Sequence, residues 1–148
     1  MAAVLIDTNV LVYAHHPAEA VRYTNAVRAI AALSDAGAGR LSAQVLGEFV
    51  SATTRGRRPL LAVREALDQA ARLADAIPVY DVTRLIVLEA LRGVRRHRLS
   101  YYDAQIWATA RLNQVPIIFT EDFQDGHRLE GVQFVNPLID GFDVGSWI

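Results

Sequence analysis

The 148-residue chain is 52% apolar and 21% charged, carries a formal charge of −1 and contains no cysteine; this excludes a disordered chain, a disulfide framework and cysteine-held metal chemistry. All 15 basic residues are arginine, so a P-loop, a pyridoxal Schiff base and a kinase strand lysine are excluded as well. No apolar run approaches the roughly 18 residues of a membrane span, and the opening MAAVLIDTNV has no basic region and meets an acid at Asp7, which argues against a signal peptide.

Val4, Leu5 and Ile6 form a short apolar run ended by Asp7, the pattern of a buried parallel strand feeding a helix over Thr8 to Ala14. After His16-Pro17, a helix is expected over Ala18 to Ala36, with Val21, Val27, Ile30 and Leu33 as its apolar positions and Gly37 and Gly39 as its stop. Leu41 to Ala43 reads as a short strand, Gln44 to Thr54 as a helix, and Pro59 opens another over Leu60 to Asp75. Pro78 to Val82 is expected to be a strand and Thr83 to Arg96 a helix with Leu85, Leu88 and Leu91 along one side. Ser100 starts a helix to about Asn113, and strands follow over Val115 to Thr120 and Val132 to Val135. Strands alternating with helices give an α/β fold with a mostly parallel sheet, and no linker or repeat divides residues 1–148. The aromatic tail Gly141 to Ile148 fits docking on the body or on a partner equally well.

In open α/β sheets the working crevice lies beyond the carboxyl ends of the strands, which singles out Asp7 and Asp122. Alone, Asp7 also reads as a helix N-cap over Asn9 or Val10, and Asp122 as a turn acid. On helical geometry Asp103 shares a face with Ile106, Trp107 and Ala110 and so points inward, unless it merely completes a capping box with Ser100. Glu48 lies at the border of the apolar arc through Val45, Leu46, Phe49 and Val50, where a solvated acid is equally natural.

Four carboxylates leaning toward one crevice repel one another, and a divalent cation resolves the repulsion. Oxygen-only ligands favour Mg²⁺ or Mn²⁺ over zinc. Such a site suits hydrolysis of a phosphodiester, with acids holding the metal and arginines holding the polyanion. The basic clusters Arg55, Arg57, Arg58 and Arg92, Arg95, Arg96, Arg98 are candidates for phosphate contact, the bland alternative being solvated helix ends. The four histidines, His15, His16, His97 and His127, show no metal-ligand spacing and read as surface residues.

Asp7-Thr8-Asn9-Val10-Leu11, Glu48, Ser100-Tyr101-Tyr102-Asp103-Ala104 and Phe119-Thr120-Glu121-Asp122-Phe123, in this order, resemble the PIN-domain ribonucleases. More narrowly they resemble the toxins of VapBC-type toxin–antitoxin pairs. The resemblance spans residues 4 to about 137 and implies a PIN-like three-layer fold, a mostly parallel sheet with helices on both faces. It implies Asp7, Glu48, Asp103 and Asp122 as metal-binding and catalytic acids, with Asn9 and Thr120 supporting them by hydrogen bonds and Asp125 as a loop acid or an assistant to Asp122. It further implies Mg²⁺ or Mn²⁺, an RNA substrate, a homodimer and an antitoxin that blocks the site; a cytoplasmic location is expected, and the basic clusters themselves offer Arg55, Arg57, Arg58, Arg95 and Arg96 as RNA contacts. A PIN-like binding module without catalysis, or a housekeeping RNA-processing nuclease, are the alternative readings.

Overall fold

The computed structural model describes residues 2–148. In chain order it contains β1 (Val4–Ile6), α1 (Thr8–Tyr13), α2 (Ala20–Asp35), β2 (Gly39–Ser42), α3 (Ala43–Thr54), α4 (Val63–Ala76), β3 (Val79–Tyr80), α5 (Arg84–His97), α6 (Tyr101–Leu112), β4 (Ile117–Phe119), β5 (Arg128–Leu129), β6 (Val132–Val135) and a 3-10 turn at Val144–Ser146. The sheet order is β3-β2-β1-β4-β6-β5, with every pairing parallel except the β5–β6 hairpin. The expected α/β architecture is therefore present. β5 is an addition, since two residues ending at a Glu-Gly turn carry no strand periodicity.

β1 is buried throughout because parallel strands are covered on both faces. The chain moves outward from β1 to β2 and β3, then returns to place β4 on the other side of β1. That reversal opens the sheet between the carboxyl ends of β1 and β4, where an α/β fold forms its crevice. The Ile6–Phe119 register sets Asp7 beside Thr120, and the Asp7 N–H donates to the Phe119 carbonyl at 3.0 Å.

α6 packs into the interior, with Ala104 to Ala110 buried, and crosses α5 closely. Gly93 of α5 permits the crossing: a Cβ there would lie 2.8 Å from the Trp107 ring. Arg92 stacks over that same ring at 5.5 Å and pairs with Glu89 and Glu130, while His97 also meets Glu130 at 2.6 Å.

One helical boundary is corrected, and the structure decides which faces of two helices are buried. Residues 60–62 precede α4, because the Leu61 N–H donates to Thr53 and holds that segment against the end of α3. In α2 the inward face is Ala26, Ala29 and Leu33, so Val21 and Val27 are exposed; small side chains let this helix lie close to the sheet. In α5 the Leu85, Leu88 and Leu91 side faces outward, and Ile86, Ala90 and Gly93 face α6. The tail docks on the body, with Phe142 edge-on to Phe119 at 5.5 Å. Among the described residues, no helix is long and apolar enough to cross a membrane.

Candidate active site

A crevice of about 400 Å³ lies between one face of α1 and one face of α3. Thr8, Asn9, Val12, Tyr13 and His16 line the first wall; Glu48, Ser51, Ala52 and Arg55 line the second; Glu121 and Asp122 close one end. The α3 residues fall at i, i+3, i+4 and i+7, so one helical stripe carries both an acid and a base into the same cleft.

Asp7 is buried immediately behind Thr8 and serves two purposes. It is the N-cap of α1, Oδ1 accepting from the Thr8 N–H at 2.7 Å rather than from Asn9 or Val10, because the carboxyl is drawn toward β4. There Oδ2 accepts from the Thr120 hydroxyl at 2.7 Å. Burial pushes the Asp7 carboxyl up to about 7 against the lowering pull of those two hydrogen bonds, and the charges of Asp122 and Glu48 add to the rise.

Thr120 is the hub of the β4 end. Its hydroxyl oxygen accepts from the Asp122 N–H at 3.1 Å and from Asn9 Nδ2 at 3.3 Å, while Asn9 Oδ1 accepts from the Glu121 N–H at 3.4 Å. Asn9 and Thr120 thus hold the two strand ends together by hydrogen bonds. Partial desolvation raises the Asp122 carboxyl, and Asp103 raises it further.

Asp103 sits half-buried in the first turn of α6, outside the crevice lining. Ser100 makes no side-chain cap bond, so the capping box does not form. Glu48 is exposed on α3, and its Oε1 accepts from Gln44 Nε2 at 2.7 Å. Gln44 in turn accepts from Gln105 Nε2 at 2.8 Å, and Gln105 accepts from the Tyr101 hydroxyl at 2.8 Å. This amide relay ties Glu48 to α6. Its sequence signals are the i, i+4 spacing of Gln44 and Glu48 and a polar Gln105 within the buried run Ala104 to Ala110.

The four acids are close enough to perturb one another, Asp122 and Glu48 acting on Asp7 and Asp103 acting on Asp122. Among the described residues, however, no three acidic or histidine side chains are gathered tightly enough to hold a metal ion. Thr8 Oγ1, buried in the crevice wall, has no hydrogen-bond partner.

Asp125 lies elsewhere: its carboxyl caps the Asn136 N–H at 2.8 Å and fastens the loop after β4 to the end of β6. Of the arginines, Arg55 lines the crevice. Arg57 and Arg58 are exposed in the turn after α3, and Arg95 and Arg96 are exposed in the last turn of α5, where they complement the helix dipole. His127 is exposed as expected, and the other three histidines are part-buried. His15 packs on Phe49, His97 pairs with Glu130, His127 stacks on Phe134, and His16 lies parallel to Tyr13 in the crevice wall. Tyr13 and His16 were not among the expected site residues; their only sequence signal is their position one and two turns beyond Asn9 on the face of α1.

The PIN domain family model matches residues 4–125. Among solved structures, the chain is similar to VapC20 of Mycobacterium tuberculosis, a sarcin–ricin loop cleaving toxin, at TM-score 0.63 and 24% identity over 81% of this chain and 90% of that one. It is similar to the DNA-bound VapBC of Salmonella typhimurium at TM-score 0.68 and 14% identity, over 93% and 99% of the two chains. A toxin–antitoxin complex from Klebsiella pneumoniae gives 0.62 and 20%, over 91% and 98%. At these identities the likeness is one of fold. Among curated proteins none matches the chain.

Proposed function

Because the chain belongs to the PIN domain family, we propose that it is a metal-dependent endoribonuclease of one domain, residues 1–148, acting in the cytoplasm as the toxin of a toxin–antitoxin pair. The observation that carries the reading is the pairing of Asp7 and Asp122 at the ends of adjacent parallel strands, bridged by one hydroxyl.

Asp7, Asp103, Asp122 and Glu48 are the residues that would hold Mg²⁺ or Mn²⁺. Their chemistry fits: every donor is a carboxylate oxygen, the charges of Asp122 and Glu48 raise the Asp7 carboxyl and that of Asp103 raises the Asp122 carboxyl, and the orphaned Thr8 Oγ1 is a polar atom that a hydrated ion would satisfy. When bound, the ion supplies Lewis-acid neutralisation of the phosphoryl oxygens and a more acidic water. Thr120 and Asn9 fix the orientation of Asp7 and Asp122, and the Gln44–Gln105 relay fixes Glu48. Arg55 holds backbone phosphate at the opposite end of the cleft.

Two apolar surfaces fit the partners this reading requires. A groove of about 370 Å³ between α1, α2 and α4, lined by Leu11, Ala14, Val27, Ile30, Leu73 and Ile77, fits an amphipathic antitoxin helix. α1 is the shared wall of groove and crevice, so a segment leaving the groove can deliver an arginine to the acids. On α5, Leu85, Leu88 and Leu91 are 65%, 46% and 49% exposed. The neighbouring Glu89 and Arg92 pair with each other, and this exposed apolar stripe suits a second copy in a two-fold dimer.

The test is cleavage of single-stranded RNA by the purified chain in Mg²⁺ or Mn²⁺. Asp7→Asn and Asp103→Asn are expected to lower the rate at least ~100-fold, the scale of losing one electrostatic catalytic contact, and Asp7→Asn to abolish growth arrest on expression. Arrest that survives Asp7→Asn points instead to a binding module.

A further inference from the structure

The acid end occupies only part of the crevice. From Glu48 to Arg55, α3 advances about 10 Å, and the same cleft is lined on its other wall by Tyr13 and His16 as well as by Thr8 and Asn9. The Tyr13 and His16 rings are parallel within 7°, with centroids 6.0 Å apart. They are held in place from several sides. The His16 N–H donates to the Tyr13 carbonyl at 3.1 Å, and Pro17 restricts the backbone of His16 to extended geometry. Arg22 of α2 lies over the Tyr13 ring at 5.4 Å and is itself fixed by Glu121 at 3.2 Å and Glu19 at 3.4 Å.

The charges differ across the cleft. On the aromatic wall Arg22 is neutralised by Glu121 and Glu19, which leaves no free cation beside Tyr13. Facing it, Arg55 is exposed and has no acidic partner among the described residues. One wall is therefore aromatic, its single cation paired to two acids, the other carries an exposed arginine, and both open into the cleft that contains Glu48 and Asp122.

Building on the nuclease reading, we propose that this end of the crevice is a subsite for the nucleotide next to the scissile phosphate: Tyr13 and His16 stack its base and Arg55 binds its phosphate. Single-stranded nucleic acid is held by this combination of π-faces and a cationic track. Stacking on this pair is tolerant of base identity and requires an unpaired base.

The test measures binding of a single-stranded oligoribonucleotide to Asp103→Asn protein, so that turnover does not intervene, with Mg²⁺ present and over a range of salt. Tyr13→Ala is expected to weaken binding roughly ten-fold or more with an unchanged salt slope, and His16→Ala to act in the same direction. Tyr13→Phe, which keeps the ring, restores affinity. Arg55→Gln is expected to flatten the slope of log K against log salt by about 0.7, the signature of one phosphate contact on a single strand. Replacing the stacked nucleotide with an abasic one costs the parent protein the same factor and costs Tyr13→Ala nothing further. A purely structural tyrosine would give equal losses on intact and abasic RNA, and that result overturns the proposal, as does an unchanged salt slope in Arg55→Gln. Should Tyr13→Ala fail to fold, the His16 and Arg55 variants decide. RNA bound with this pattern but left uncut by the unmutated chain overturns the nuclease reading and leaves the subsite standing; RNA cut with no dependence on Tyr13, His16 or Arg55 does the reverse.

Discussion

The Thr120 hydroxyl donates to Asp7 Oδ2 at 2.7 Å across 113 positions of sequence, joining the carboxyl ends of the two central strands through one oxygen that also accepts from the Asp122 N–H. It stabilises the charged form of a carboxyl that burial would otherwise keep neutral, and its geometry depends on the parallel β1–β4 register.

Burial of Asp7 gives the metal-free protein a pH-dependent stability. A carboxyl raised from an ordinary 3.8 to about 7 makes the folded state bind more protons than the unfolded state between those values. Stability contributed by Asp7 is therefore highest below pH 3.8, falls as pH rises toward 7 and is level above it. The total is at most about 4 kcal/mol. In chelator, denaturant titrations from pH 4 to 8 should show wild type losing stability relative to Asp7→Asn. Thr120→Val, which removes a bond that lowers this pKa, should move the midpoint above 7.

A cation at the four acids should reverse that loss. An ion that binds the folded acid cluster and not the unfolded chain would stabilise it by about 2.7 kcal/mol at a hundred times its dissociation constant. Thermal melts at pH 7.5 should rise with added ion and return with chelator. The rise should be largely absent in Asp7→Asn and Asp103→Asn, and equal rises in both variants would place the ion elsewhere.

Away from the site, Glu130 is held down to about 2, first by His97 and then by Arg92. A depressed carboxylate contributes fully above the ordinary 4.5, and its contribution is lost as pH falls toward 2. Because the pair is substantially solvated, its worth is about 1 kcal/mol. Glu130→Gln should cost that much at pH 6 and almost nothing at pH 2.5, as read by urea unfolding at the two pH values.

Gly93→Ala should destabilise the fold despite the better helix propensity of alanine. The added methyl would stand 2.8 Å from the buried Trp107 ring, whose Nε1 is tied to the Leu129 carbonyl at 3.2 Å. Overpacking costs about 1–3 kcal/mol and the propensity gain offsets up to about 1. The net loss should be visible as a lower Tm, with RNA cleavage retained at temperatures where the variant is folded.

What the sequence by itself determined is local. A strand ended by an acid, an acid two residues past another apolar strand, helices marked by their caps and the order of these elements are all short-range patterns, so Asp7, Asp122 and the parallel sheet were legible from neighbours in the chain. Tertiary structure alone decided which faces were spent on the core. The leucine stripe of α5 looks like a core face by period, yet the close Gly93–Trp107 crossing turns Ile86, Ala90 and Gly93 inward and leaves the leucines outside. The partner of each acid was likewise decided by distant pairing: Thr120 for Asp7, Asn136 for Asp125, and Gln105 of α6 through Gln44 for Glu48. So was the meeting of Tyr13, His16 and Arg55 across one cleft. Periodicity reports that a side chain has a face, but what that face meets depends on crossing angles and strand order, which are set by packing between segments far apart in sequence.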